Sequence, residues 1–302
     1  MQSNRVMERN FCDTFIKENV INRKGESFKD RFIDIISDPN NLLIKRVPDA
    51  GKIIEGNVIL HQGIKVSAEG YYGDFSECLQ INHGVHEPSE ERMFQEVLND
   101  IDEGATMIEL GSYWAMYTIW FSKMIKGSIN YCIEPESSNI KVGIDNCKLN
   151  DVSADFTLGF IGNSKGQIKV SDFIKEKKID FIDMLHSDIQ GYELHLLHDM
   201  VPLMKNKKIK YLFISTHSNE IHYEAIRIMK ECGYRIICSS DFLEETFCMD
   251  GIIVACQKDN LTITETSLGN RSKTPLRHEP YPISFYGKAT LSCNTRKGEM
   301  LI

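Results

Sequence analysis

No apolar stretch in this chain approaches the ~18 residues that a membrane-crossing helix requires, and residues 1–10 lack the apolar centre of a secretory signal. These two absences predict a protein that is neither secreted nor membrane-spanning. A basic surplus is also missing: 35 Lys and Arg stand against 43 Asp and Glu, a net charge of −8. That balance disfavours an extended binder of phosphate backbones and predicts no nucleic-acid partner. The nine cysteines are an odd number, and none are arranged as Cys-x-x-Cys. A disulfide framework or zinc cluster is therefore not expected, and the thiols read as packing residues in a reducing, cytoplasmic setting. Internal repeats and low-complexity tracts are absent too.

What remains is ordinary globular material, 302 residues with 42% hydrophobic and 26% charged. At ~150 residues per domain this allows two domains or one enlarged domain. Three textures divide the chain: 1 to about 100 is mixed, 105–257 alternates regularly, and 258–302 is a loop-rich tail; the expected units are a helical and hairpin extension over 1–82, a domain over 83–257, and the tail over 258–302 lying on that domain. In the first, Met7 to Ile36 has apolar residues at helical spacing, and Glu55-Gly56 separates two strand-like runs as a hairpin break. Pro88, followed by acidic residues, predicts a helix to about Leu98.

From residue 105 onward strands and helices alternate. Strands are expected at Thr106–Leu110, Ile129–Ile133, Phe156–Ile161, Phe181–Leu185, Tyr211–Ser215, Tyr234–Cys238 and Gly251–Cys256. Helices fall between them, at 138–149, 171–177, 192–200 (stopped before Pro202) and 219–232, with another running to Ile125. This rhythm predicts a doubly wound α/β fold, a mostly parallel sheet covered on both faces. No helix separates the final two strands, so they should pair antiparallel at one edge.

In such a sheet, ligands bind at the C-terminal ends of the strands. The first strand runs into Glu109-Leu110-Gly111-Ser112-Tyr113-Trp114-Ala115. Gly111 lets backbone approach a ligand, but one glycine stands where a dinucleotide fingerprint needs three. The second strand ends in Glu134-Pro135, where an acidic side chain can accept hydrogen bonds from ribose hydroxyls and the proline fixes the turn. Phe160-Ile161-Gly162 offers an apolar wall for an adenine. The fourth strand runs into Ser187-Asp188-Ile189-Gln190-Gly191-Tyr192-Glu193, and the fifth ends in Thr216-His217-Ser218. Asp188 and His217 on neighbouring strand ends could orient a hydroxyl and take its proton, or hold a metal together.

Three of these motifs carry a resemblance. Met107 to Trp114, Tyr131 to Asn139 and His186 to Glu193 resemble the cofactor turn, the ribose loop and the Asp-x-Glu-Gly-x-Glu signature of the FkbM-type S-adenosylmethionine-dependent methyltransferases. The resemblance spans roughly residues 83–257. It implies a class I methyltransferase-like, Rossmann-like fold, S-adenosyl-L-methionine as cofactor, and O-methylation of a sugar or natural-product hydroxyl. The cofactor contacts it implies are Glu109, Gly111, Ser112, Tyr113, Trp114, Glu134, Pro135, Asn139 and Ser187, to which the third strand end adds Ile161 as an expected contact. Two positions depart from the pattern: Ala115 replaces a second glycine, and Gln190 replaces a Glu, which removes a charge from any metal site.

The expected activity is therefore methyl transfer to a hydroxyl of a sugar or glycan precursor (capsule, lipopolysaccharide or natural-product sugar). His217 serves as base at its ordinary pKa near ~6.5, with Asp188 orienting it. A divalent metal on Asp188 and His217 is the less favoured alternative. A nicotinamide-dependent oxidoreductase and a non-catalytic nucleoside-binding protein are the other readings; the single-glycine turn argues against the first and the Asp188/His217 pair against the second. The expected partner is a small-molecule or sugar acceptor, and a homo-oligomer is left open. His83, His86 and Glu87 read as a lid or a plain helix entry, the run Lys205, Lys207, Lys208 and Lys210 as a solvated face, and His195 and His198 as surface residues.

Overall fold

The computed structural model describes residues 28–69, 73–248, 250–277 and 279–282. Of the helix expected over 7–36, only its end is among them, as α1 (Phe28–Ser37). The hairpin forms as β1 (Ile53–Ile54) and β2 (Asn57–Ile59), joined through Glu55 and Gly56, both with positive φ (51° and 75°). Two such residues make the turn whose twist matches that of the strands. A third strand, β3 (Lys65–Ser67), completes a small antiparallel sheet, and α2 (Gly73–Ile81) follows, an element the sequence pattern had not indicated. α3 (Pro88–Leu98) starts on its proline as expected.

The remaining elements are β4 (Thr106–Leu110), α4 (Met116–Met124), β5 (Ile129–Glu134), α5 (Ser137–Leu149), β6 (Asp155–Leu158), α6 (Val170–Glu176), β7 (Ile182–Ser187), α7 (Glu193–Lys205), β8 (Ile209–Thr216), α8 (Asn219–Glu231), β9 (Tyr234–Ser240) and β10 (Gly251–Gln257). They build a seven-stranded sheet in the order β6-β5-β4-β7-β8-β10-β9. β10 inserts between β8 and β9 and runs antiparallel to both; the other pairings are parallel. This is the doubly wound, mostly parallel sheet that the alternation predicted, in the class I methyltransferase-like form that the resemblance implied.

Side-chain alternation splits each central strand between two cores. Met107, Met184, Tyr211, Phe213, Val254 and Cys256 pack with α1, α3 and α4, whereas Ile108, Leu110, Leu185, Leu212, Ile214, Ile253 and Ala255 pack with α6, α7 and α8. Near-continuous apolar strands are the signature of a sheet buried on both sides. Six of the seven cysteines described are buried, as packing residues should be.

Two boundaries differ from expectation. β6 ends at Leu158, and Ile161 forms only an isolated bridge with Ile168. α7 runs through Pro202 to Lys205 instead of stopping before it. A proline inside a helix costs about 3 kcal/mol, and the extra turn buries Met204 completely among Leu196, Leu197 and Met200. Burying a methionine is worth about 1.5–3 kcal/mol, which offsets most of that cost. Beyond β10 the chain returns over the molecule: Thr266 N–H donates to Ile237 O, Arg271 pairs with Asp34, and Arg277 N–H donates to Ser37 Oγ. No helix among the described residues is long and apolar enough to cross a membrane.

Candidate functional site

Parallel pairing places Leu110 beside Ser187 and beside Ile133, so the ends of β4, β5 and β7 are level. The chain leaves β4 through Gly111 at φ 73°. A side chain there would put its Cβ 1.8 Å from the Asp188 carbonyl oxygen, so only glycine lets the two strand ends lie this close. Tyr113 and Ala115 also have positive φ (41° and 58°). The turn is thus tightly wound and closed on itself before α4 begins, even with Ala115 in place of glycine: Gly111 and Ser112 N–H donate to Ile133 O, and Ala115 N–H donates to Ser112 O.

Glu134 anchors this turn. Its Oε2 accepts Tyr113 N–H (3.1 Å), and its Oε1 accepts Glu136 N–H and Asn139 Nδ2–H (both 3.1 Å). Three of roughly four lone-pair positions on the carboxylate are therefore used, leaving room on Oε2 for one further donor, such as a ribose hydroxyl. Burial raises the Glu134 pKa against the opposing pull of those donors. Pro135 is exposed beside it, and Asn139 is half-buried.

Glu109 works from behind. It is 3% exposed, and its Oε2 accepts Thr118 N–H (3.0 Å) in the first turn of α4. Burial pushes its pKa up to about 7. Ser112 and Trp114 are buried as well, and the Trp114 indole meets the His86 ring edge-on at 5.3 Å. Thus the segment before α3 packs on the turn after β4, and it is itself fixed by His86 and Glu87 N–H groups, which both donate to Glu91 Oε1 (2.6 Å each). Ser187 is fully buried, and its Oγ has no hydrogen-bond partner among the described residues. Ile161, expected on the wall of an adenine site, belongs to the core around α6; the exposed apolar ring at that strand end is Phe160, edge-on to Tyr192 at 4.6 Å.

The β7 and β8 ends gather charge. His217 Nδ1 lies 2.8 Å from Glu193 Oε1, and Nε2 lies 3.3 Å from Asp188 Oδ1 and 3.4 Å from Asp250 Oδ1. Burial disfavours charge on this imidazole. Hydrogen bonds to Asp188 and Glu193, with the charge of Asp250, outweigh it and push the pKa up to about 10. This corrects the expectation of an ordinary imidazole: at neutral pH the ring already holds its proton and is not free to take another. Gln190 compensates for its lost charge by donating to Asp188 Oδ1 (2.7 Å), which an ionised Glu could not do.

Asp250 is the residue the sequence reading missed. Its signal was the antiparallel last strand: Gly251 pairs with Thr216, so the residue before Gly251 falls opposite the residue after Thr216, which is His217. Thr246 Oγ1–H donates to Asp250 O (2.7 Å) and fixes that loop end. Glu193 had been quoted only as part of a motif, yet it is completely buried and accepts Gly191 N–H as well. A second polar pair was also unforeseen: His186 Nε2 lies 2.7 Å from Glu90 Oε1, both buried beneath the β4 and β7 ends. Of the weaker signals, His195 and His198 are exposed, whereas Lys210 leaves its solvated run to pair with Asp100 (3.1 Å).

Residues 164–236 match the family model described as the methyltransferase FkbM domain. The resemblance to FkbM methyltransferases therefore holds over that stretch. It includes β7, α7, β8 and α8, the elements that carry Asp188, Glu193 and His217. No curated protein matches the chain. Among solved structures, a precorrin-6y C5,15-methyltransferase from Geobacter metallireducens is 12% identical over 55% of this chain and 88% of its own, with a TM-score of 0.41. TrmK of M. capricolum, solved with S-adenosyl-homocysteine, is 16% identical over 56% and 68% (TM-score 0.37), and Aeropyrum pernix fibrillarin with S-adenosyl-L-methionine is 14% identical over 51% and 67% (TM-score 0.38). The family match and the sheet order together support an S-adenosylmethionine-dependent methyltransferase.

Proposed function

We propose that the protein is an O-methyltransferase that moves the methyl group of S-adenosyl-L-methionine to a hydroxyl of a sugar or glycan precursor, in the cytoplasm. The catalytic unit is residues 83–257, with 1–82 and 258–302 as accessory segments. The observation that carries the reading is the division of labour along one sheet edge. The β4 and β5 ends offer a glycine turn and an anchored carboxylate, which suit a ribose. The β7, β8 and β10 ends offer a half-exposed Asp188 beside an imidazole held by three carboxylates. The orphaned Ser187 Oγ between them is a further donor for a bound cofactor.

The cofactor supplies an activated methyl group, so the protein's main task is alignment. The acceptor oxygen forms a bond to the methyl carbon, the carbon–sulfur pair returns to sulfur, and a methyl ether, S-adenosylhomocysteine and a proton result. Asp188 accepts the hydrogen bond of the attacking hydroxyl, and His217 fixes Asp188. The net charge of −8 suits a small acceptor better than RNA. Transfer of labelled methyl from S-adenosylmethionine to a panel of sugar nucleotides and glycosides, run beside tRNA and a protein extract, tests this. Label in a sugar ether supports it, whereas label confined to RNA or protein overturns the acceptor class.

A further inference from the structure

We infer that Asp188, Asp250 and His217 form a divalent-cation site. One ligand atom from each lies within 4.8 Å of the others. The distances from Nε2 to the two carboxylate oxygens, 3.3 and 3.4 Å, are those of neighbouring ligands on one ion. With metal–ligand bonds of about 2.0–2.2 Å, ligands at octahedral to tetrahedral angles lie about 2.9–3.5 Å apart.

A second observation points the same way. Metal-bound histidines characteristically donate their other ring N–H to a carboxylate, which fixes the tautomer. Glu193 Oε1 does this at Nδ1, from a fully buried position, and is itself oriented by Gly191 N–H (3.0 Å). Its second oxygen, Oε2, is buried without a hydrogen-bond partner among the described residues. The Nδ1–H tautomer turns the Nε2 lone pair toward two carboxylates, an arrangement that needs either a proton or a cation between them. Three carboxylates around one imidazole leave ample negative charge for a divalent ion.

The donor set of two carboxylates and one imidazole, with Asp188 and Asp250 partly open to solvent, leaves coordination positions for water or a hydroxyl. A cation there acidifies a hydroxyl bound beside it. The site stands on its own geometry; this catalytic use rests on the methyl-transfer reading.

The test is direct titration of the full chain, without cofactor, with manganese(II), followed by the paramagnetic signal of the free ion. One ion per chain is expected. Asp250→Asn and His217→Ala should weaken binding at least tenfold, and Glu193→Gln about tenfold. Glu244→Gln, an exposed carboxylate of the same loop, should change nothing. Circular dichroism checks that each variant is folded, and S-adenosylhomocysteine affinity, measured separately, should be retained. Absence of binding at millimolar manganese, or binding indifferent to Asp250→Asn and Glu193→Gln, overturns the site. Manganese binding in a protein that fails to bind S-adenosylhomocysteine leaves the site standing and removes the methyl-transfer reading.

Discussion

The two halves of the sheet edge use carboxylates in opposite ways. At β4 and β5, Glu109 and Glu134 are buried singly and held by backbone and amide donors, and burial raises both pKa values. At β7, β8 and β10, Asp188, Glu193 and Asp250 converge on one imidazole and hold its proton far above the usual range. The first arrangement fixes a turn and leaves one acceptor position on Glu134. The second concentrates negative charge where a cation or a polar acceptor can be bound. On the proposed function, the cofactor belongs to the first half and the reacting hydroxyl to the second.

Breaking the charged half should have the largest effect. His217→Ala should lower single-turnover methyl transfer by about 10²-fold, because Asp188 loses the imidazole that positions it, while S-adenosylhomocysteine affinity stays within about twofold. Equal losses of both would merge the two halves into one. Gly111→Ala attacks the joint between them. Its Cβ would sit 1.8 Å from the Asp188 carbonyl oxygen, in a backbone conformation (φ 73°) that disfavours side chains. A stability loss above about 2 kcal/mol is expected in denaturant unfolding, with weakened cofactor binding.

A smaller effect isolates the buried half. The Glu109 pKa is raised from 4.5 to about 7, so folding favours its protonated form. Its contribution to stability is complete below about 4.5 and is lost as pH rises through about 7. Glu109→Gln keeps an acceptor for Thr118 N–H and cannot ionise. Its stability relative to the parent should therefore grow between pH 5 and 8, by up to about 3 kcal/mol. Thermal unfolding across that range measures it, and parallel pH profiles would show that the carboxyl ionises freely.

Much of this was legible in the sequence, and the limits have a physical pattern. The strand-helix rhythm located the sheet because a parallel sheet buries both faces of nearly every strand. The geometry around Glu134 was partly legible because Glu136 and Asn139 lie within five residues of it, and Tyr113 reaches it through the parallel pairing of β4 and β5 that the alternation implied. Asp250 was not, because it reaches His217 only through the antiparallel register of β10 on β8. The imidazole pKa was misjudged because Asp188 and Glu193, which raise it most, stand in a motif that does not show them on the His217 ring; only the packing of the β7 and β8 ends brings them there. Pro202 misled because local propensity favoured a stop, while the burial of Met204 decided otherwise.

The central claim, that the β4–β5 end is an S-adenosylmethionine site built around Glu134, is tested most directly by calorimetric titration with S-adenosylhomocysteine. The account predicts one site per chain, no binding of NAD, and an affinity loss in Glu134→Ala of about 1.5 kcal/mol or more, roughly tenfold. Binding of NAD in its place, or S-adenosylhomocysteine affinity unchanged in Glu134→Ala, would contradict it.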